Sequence, residues 1–267
     1  MIKTTEMSTT VRADRIELLT GARKTVEEPV ATEAPINIYV NDRYLITLLA
    51  TPKLQRELAL GWLFDEGVLQ SLGKIKEVTV NQDSVTVMTK ESLQEERLQV
   101  IGVTRILTTA CGLSISKFLK VMNEIGKVFT RSDYKVMAGD IIRMIQELDD
   151  QSKLFKLTGG THASALFEEG KLVALAEDIG RHNAIDKVIG IAVQSKVNFS
   201  KCVLVSSGRQ PADMVLKVAR MGIPILASKA SPIRSGIIAA KKTGVTLICF
   251  VREHRMNVYT YPSRVLT

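Results

Sequence analysis

Five short apolar runs constrain this chain more than any other feature. They are ASALF (163–167), KLVALA (171–176), CVLVSS (202–207), IPILAS (223–228) and VTLICFV (245–251). The last three are continuous, without the polar alternation of a strand that faces water on one side. Between them lie AIDKVIGIAVQ (184–194), PADMVLKVARMG (211–222) and SPIRSGIIAAKKTG (231–244), which carry helical spacing. Apolar strands alternating with helices must be covered on both faces. The expected fold is therefore α/β, a three-layer sandwich around a mixed sheet. Glu168-Glu169-Gly170 turns the first two strands into a hairpin, and NVYTYP (257–262) is expected to close an edge.

The part before residue 155 reads differently. Residues 1–35 look like a loose start, because VEEPVATEAP mixes charge with two prolines. Ile36–Ala50 reads as two β-rich runs around Asn41-Asp42. Thr51 is a good N-cap and Pro52 suits a first helical position, so a helix is expected to carry Leu54, Leu58 and Trp62 on one face. Ile75–Val80 and Ser84–Met88 form a second hairpin around NQD. Ile115, Phe118, Leu119, Met122 and Ile125 make a helical stripe with Ser114 as its cap, and Asp140–Leu148 makes another helix. This suggests an N-terminal extension over 1–35, a smaller α+β region over 36–150 and the α/β region over 151–267.

A chain of 267 residues can bury a sizeable core, and no run of about 18 apolar residues suggests a membrane span. The first residues lack a continuous apolar segment of the kind a secretory leader carries. Three scattered cysteines do not make a disulfide framework, which points to a reducing cytoplasm. The net charge of +8 is uneven: residues 181–267 hold 14 Lys and Arg against 3 Asp and Glu. Such a basic half fits an anionic partner or, equally, a solvated basic surface. Nucleic acid ranks last among such partners, because the basic loops lack the interleaved aromatics that single-stranded binders use.

Five loops go beyond what a scaffold needs: TGGTHA (158–163), EDIGRHNAIDK (177–187), SSGRQ (206–210), SKASPIRSG (228–236) and FVREHR (250–255). Four directly follow an expected strand, where open α/β sheets bind ligands. Glycines let backbone N–H groups approach a phosphate, and Arg181, Arg209, Arg234, Arg252 and Arg255 suit phosphate oxygens. His162 and His182 fit proton transfer or ligand bonding, or else the capping of a loop. A zinc site is not expected: His162 is followed by Ala163 and Ser164, and the chain has no P-C-x-x-C. Cys202 and Cys249 sit within apolar strands and read as small core residues. Cys111 precedes a glycine just ahead of an expected helix, a setting that can stabilise a thiolate or simply hold a half-buried cysteine.

Taken together, EEP (27–29), ATPKLQRELALGWLFDEGVL (50–69), TTACGLS (108–114), FKLTGGTHASAL (155–166), EDIGRHNAIDKVIG (177–190), SSGRQPADMVLKVARMGIPILASKASP (206–232) and GVTLICFVREHRMNVYTYPSR (244–264) resemble the FdhD family, formate dehydrogenase accessory proteins. These segments run in order over nearly the whole chain. The resemblance implies a cytidine-deaminase-like fold with a smaller subdomain, in homodimers. It implies a sulfurtransferase of the persulfide-carrier type that takes sulfur from a cysteine desulfurase and passes it to a molybdenum (or tungsten) bis-guanine dinucleotide cofactor bound for formate dehydrogenase. Cys111 matches the persulfide cysteine, and Phe250, Val251, Arg252, Glu253, His254 and Arg255 match the cofactor segment. Gly159, Gly160, His162, Gly180, Arg181, His182, Asn183 and Arg209 would help hold the guanine nucleotide portion. No protein-ligated metal is implied. The family pattern C-G-x-C-G stands here as Cys111-Gly112-Leu113-Ser114-Ile115, so one sulfur-bearing residue remains in the loop. A non-catalytic chaperone for the same cofactor is the competing expectation.

Overall fold

The computed structural model describes residues 6–91, 106–107, 128–195 and 197–267. The Cys111 loop and the helix expected over 115–125 lie outside them.

The apolar runs become the inner strands of a six-stranded mixed sheet. In spatial order it contains β10 (Lys171–Asp178), β9 (His162–Glu168), β11 (Cys202–Ser206), β12 (Ile225–Ser228), β13 (Thr246–Arg252) and β14 (Arg255–Val258). The strands β11, β12 and β13 run parallel, and the other neighbours pair antiparallel. Every residue of β11 and β12 is buried. Helix α2 (Ala138–Gln151) covers one face, packing Ile141, Met144, Ile145 and Leu148 against Ala165, Phe167, Val203, Val205 and Ile248. The other face carries α4 (Arg181–Gln194), α5 (Ala212–Arg220) and α6 (Arg234–Thr243). A short helix, α3 (Lys153–Thr158), leads from α2 towards β9. The edge is closed by β14, which shares only Asn257 and Val258 with the run expected there. The architecture is mixed α/β with helices on both faces of this sheet.

The five-stranded second sheet is ordered β5 (Ile75–Val80), β6 (Ser84–Thr89), β3 (Ala34–Val40), β4 (Arg43–Ala50), β7 (Ile106–Leu107). Helix α1 (Gln55–Asp65) lies between this sheet and α4, which explains why it is buried from Leu58 to Asp65 on every side rather than along one stripe. The two helices cross at glycines. A Cβ on Gly61 would stand 1.7 Å from the Asp186 carbonyl oxygen, and one on Gly190 would stand 1.8 Å from that of Glu57.

Two local readings of the sequence do not hold. The helix starts at Gln55, not Pro52, after Leu54 in a left-handed conformation (φ 57°). Thr51 does not cap it, because its hydroxyl and amide are recruited by Asp178. Residues 8–31 are not loose. They pair as a ten-by-ten-residue antiparallel ribbon of β1 (Ser8–Glu17) and β2 (Ala22–Ala31), with Leu18 and Leu19 exposed at the tip. Two strands β8 (Val136–Met137) and β15 (Val265–Leu266) form a small parallel pair. Among the described residues no helix is long and apolar enough to cross a membrane.

Candidate functional site

The candidate residues gather where β11, β12 and β13 end and β9 begins. Each loop is held by a side chain that closes its own backbone bonds. Glu177 accepts from the amides of Leu154 (2.9 Å) and Phe155 (2.7 Å) and from the Thr161 hydroxyl (3.3 Å), which fixes α3 and the Gly159-Gly160 turn behind it. Gly159 ends α3 at φ 66°, a backbone state that a side chain would strain. Ser228 donates to the Gly208 carbonyl (2.8 Å) and Gln210 Nε2 donates to the same oxygen (2.7 Å), so the 206–210 and 228–232 loops are laced together.

At the centre stands His162. Ser207 Oγ accepts from the Ala163 amide at 3.0 Å and shares a hydrogen bond of 3.2 Å with His162 Nδ1. Burial lowers the His162 pKa, and the positive charges of Arg181, Arg209 and His182 lower it further. The ring is thus neutral at neutral pH. His182 Nε2 lies 2.9 Å from Asp213 Oδ2, which orients the second imidazole. Arg181 packs against Gly208, where a Cβ would come within 2.8 Å of it. Its Nε is buried without a hydrogen-bond partner.

Two adjoining cavities open here. The first, about 380 Å³, is lined by Gly159, Gly160, His162, Ser207, Asp149, Phe155 and Lys229 among others. The second, about 520 Å³, is lined by Val251, Arg252, Glu253, Ile142 and Gln146 and shares Asp149, Ser207 and Lys229 with the first. Both volumes are those of small-molecule sites. Lys229 Nζ is paired with Asp149 and sits 5.9 Å from the centre of the Phe155 ring. Arg252 donates to the carbonyls of Lys229 (2.6 Å) and Val251 (2.8 Å), tying the end of β13 to the neighbouring loop.

The structure therefore brings together Gly159, Gly160, His162, Val251, Arg252 and Glu253 as cavity wall, with Arg181, His182 and Arg209 close to His162. Other residues have different work. Asn183 donates to the Leu49 carbonyl (2.7 Å) and to Asp178 (2.9 Å), and Gly180 donates to Asp178 from its amide. Phe250, at φ 54°, packs half-buried against the core. His254 and Arg255 lie at the β13–β14 turn, with the His254 side chain 93% exposed. Cys111 lies outside the described residues. Cys202 and Cys249 are fully buried, and burial pushes each thiol up to about 12.

Asp149, Phe155 and Lys229 were not read from the sequence as site residues. One signal was available. Asp149 and Asp150 occupy the last turn of α2, where acidic side chains oppose the helix dipole.

The segment from β4 to α1 meets this site from behind. Asp178 accepts from five donors: the amides of Thr51 and Gly180, the Thr51 hydroxyl, Asn183 and Lys187. Lys187 Nζ is 2.6 Å away and fully buried. The end of the smaller sheet is thereby joined to the loop that presents Arg181 and His182.

Comparison with known proteins agrees over most of the chain. A sulfur carrier protein FdhD from Shouchella clausii is 33% identical over 243 residues, covering 90% of this chain and 91% of that protein. Another of the same name, from Sulfolobus acidocaldarius, is 34% identical over 249 residues, covering 92% and 94%. The crystal structure of a formate dehydrogenase accessory protein from Desulfotalea psychrophila superposes with a TM-score of 0.79 at 29% identity, covering 98% of this chain and all of that one. With the FdhD/NarQ family model matched over residues 31–266, which include every loop of the site, the chain belongs to the FdhD/NarQ family.

Proposed function

We propose that this chain is a sulfur carrier that loads its cargo on Cys111 and delivers it to a guanine dinucleotide cofactor of molybdenum or tungsten, in the service of formate dehydrogenase. In the loading step the Cys111 thiolate attacks the terminal sulfur of a desulfurase persulfide. A new S–S bond forms on Cys111, the old one breaks, and the desulfurase cysteine leaves as thiolate. The deaminase-like variant of the α/β fold and the homodimer implied by the resemblance belong to the same proposal.

The observation that carries this reading is a groove of small-molecule size walled by Gly159, Gly160, His162 and Arg252, backed by the corner where Thr51 meets Asp178. β7 runs parallel to β4, with Leu107 opposite Leu48, and β4 leads directly to the corner where Thr51 meets Asp178. Cys111 follows Leu107 by four residues. A four-residue tether spans at most about 14 Å. Cys202 and Cys249, with raised pKa values and no exposure, are unsuited to the same role. Arg181 and Arg209 supply the kind of guanidinium donors that a pyrophosphate takes, and the Gly159-Gly160 turn, whose amides are given to Phe155 and Thr158, leaves the cavity wall open for its approach.

The serine at 114 favours a second reading, a chaperone that binds the cofactor without carrying sulfur. One experiment separates the two. The protein is incubated with a cysteine desulfurase and labelled cysteine, and wild type is compared with Cys111→Ala. Label on wild type and not on the variant supports the carrier; equal label on both overturns Cys111. If neither takes label and both bind GDP, the chaperone reading stands.

A further inference from the structure

The ribbon of β1 and β2 stands off the rest of the molecule. Ten paired residues in each strand carry it about 33 Å from its root at Ser8 and Ala31 to its tip at Leu18 and Leu19. The root meets the body at α3, which packs on β2. There a Cβ on Gly160 would stand 3.3 Å from that of Ala31. Every residue from Thr10 to Thr25 is exposed. A two-stranded ribbon is marginal in water on its own, yet this one keeps regular pairing over its full length. Its tip also shows two leucines that are 93% and 103% exposed, with Val11 and Ile16 exposed along the way. Apolar surface gathered on such an arm marks a contact with another molecule.

The charges say which molecule. Around the tip, residues 15–24 hold Arg15, Arg23 and Lys24 against Glu17. Towards the root, Asp14, Glu27 and Glu28 stand against Arg12. The ribbon is therefore positive at its tip and negative at its root. A contact between two identical chains about a two-fold axis must be complementary to itself. This ribbon meets that condition when two copies lie antiparallel, each tip on the other's root. Positive then faces negative at both ends. Leu18 and Leu19 then face apolar surface at both ends as well, because α3 exposes Phe155 and Leu157 beside the root. We propose that two copies of this chain exchange their ribbons, the tip leucines of each docking on the root and α3 of the other. This deepens the homodimer of the proposed function by assigning it a surface. It also brings the second copy to the site: Phe155 and Gly160 line the first cavity, so the arm of one copy becomes a neighbour of the other's groove.

Analytical ultracentrifugation on the full chain tests this. Wild type should be a dimer at micromolar concentration. Leu18→Ser with Leu19→Ser should weaken that dimer at least about tenfold. Arg23→Glu with Lys24→Glu sets negative against negative in both contacts, and Glu27→Lys with Glu28→Lys sets positive against positive, so each should weaken it too. An equal mixture of the two charge variants should restore dimers, because in the mixed pair each tip meets a root of opposite sign. A ribbon that only holds its own chain together gains nothing from mixing. Circular dichroism of each variant should match wild type, since the contact lies on an arm and a short outer helix. If wild type and every variant are equally dimeric, or if mixing restores nothing, the ribbon exchange falls while the homodimer stands. If wild type is a monomer, both fall, and flotation with phosphatidylglycerol vesicles then reads whether the basic, apolar tip seats on a lipid surface instead.

Discussion

Two lysines are buried on either side of α4, and their surroundings push them in opposite directions. Lys187, in the corner behind the site, faces one carboxylate, Asp178, and two oxygens of Thr51. Burial dominates there and lowers its pKa, with Asp178 partly offsetting the shift. Lys217, at the rear where α1, α4 and α5 meet, lies 2.6 Å from Asp65, 3.0 Å from Asp186 and 3.3 Å from Glu66. Burial would lower it as well, but the three acids outweigh burial and hold it well above its ordinary value. The corner has one charge of each sign. The rear joint has more acid than base, even with Arg220 reaching Glu66. Asp65 relieves the excess: burial and the charge of Asp186 raise its pKa well above 3.8, against the pull of Lys217. Equal burial thus leaves a lysine of lowered pKa in one place and one of raised pKa in the other. Charge balance decides which.

The comparison can be broken most severely at the corner. Asp178→Ala strands a buried ammonium and removes an acceptor from five donors, and thermal unfolding should show a loss of about 3–5 kcal/mol. Pairing Asp178→Leu with Lys187→Met should recover most of that, because an apolar pair removes both charges together. At the rear, Lys217→Met should cost about 3 kcal/mol at pH 7 and less at pH 5. The sign follows from proton counting. Above 3.8 the unfolded Asp65 has lost its proton while the folded one still holds it, so stability falls as pH rises through that window, and removal of Lys217 steepens the fall. A denaturation series across pH checks this; a slope unchanged from wild type would refute the joint. His162→Gln sharpens a third, smaller contrast. Its lowered pKa means that, just below 6.5, the unfolded chain binds a proton the folded chain does not, so stability rises with pH there. The variant should lose that slope. Smallest of all, Leu18→Ser with Leu19→Ser at the ribbon tip should leave stability within about 0.5 kcal/mol.

The larger sheet was legible because its strands are covered twice. CVLVSS and VTLICFV can be satisfied nowhere but in an interior, and their cysteines follow the same rule. The ribbon of residues 8–31 was not legible, because most of its side chains face water and so leave no period-two apolar signal. Thr51 was misread for a different reason. Its partner Asp178 is 127 residues away, and a nearby Pro52 makes a local cap the natural inference. In the site, the Gly and Arg loops announced themselves through residue type. Asp149 and Lys229 did not, since a charge at a helix end and a charge in a basic loop look solvated until the fold sets one against the other.

The glycine crossing of α1 and α4 has a consequence for how the molecule comes apart. With backbone touching backbone at Gly61 and Gly190, neither helix can slide or rotate on the other without collision. The smaller sheet and the larger one are then a single cooperative unit. Denaturant should remove both in one transition, and a chain cut between residues 91 and 128 should rejoin from its two pieces by docking one helix into the other's groove.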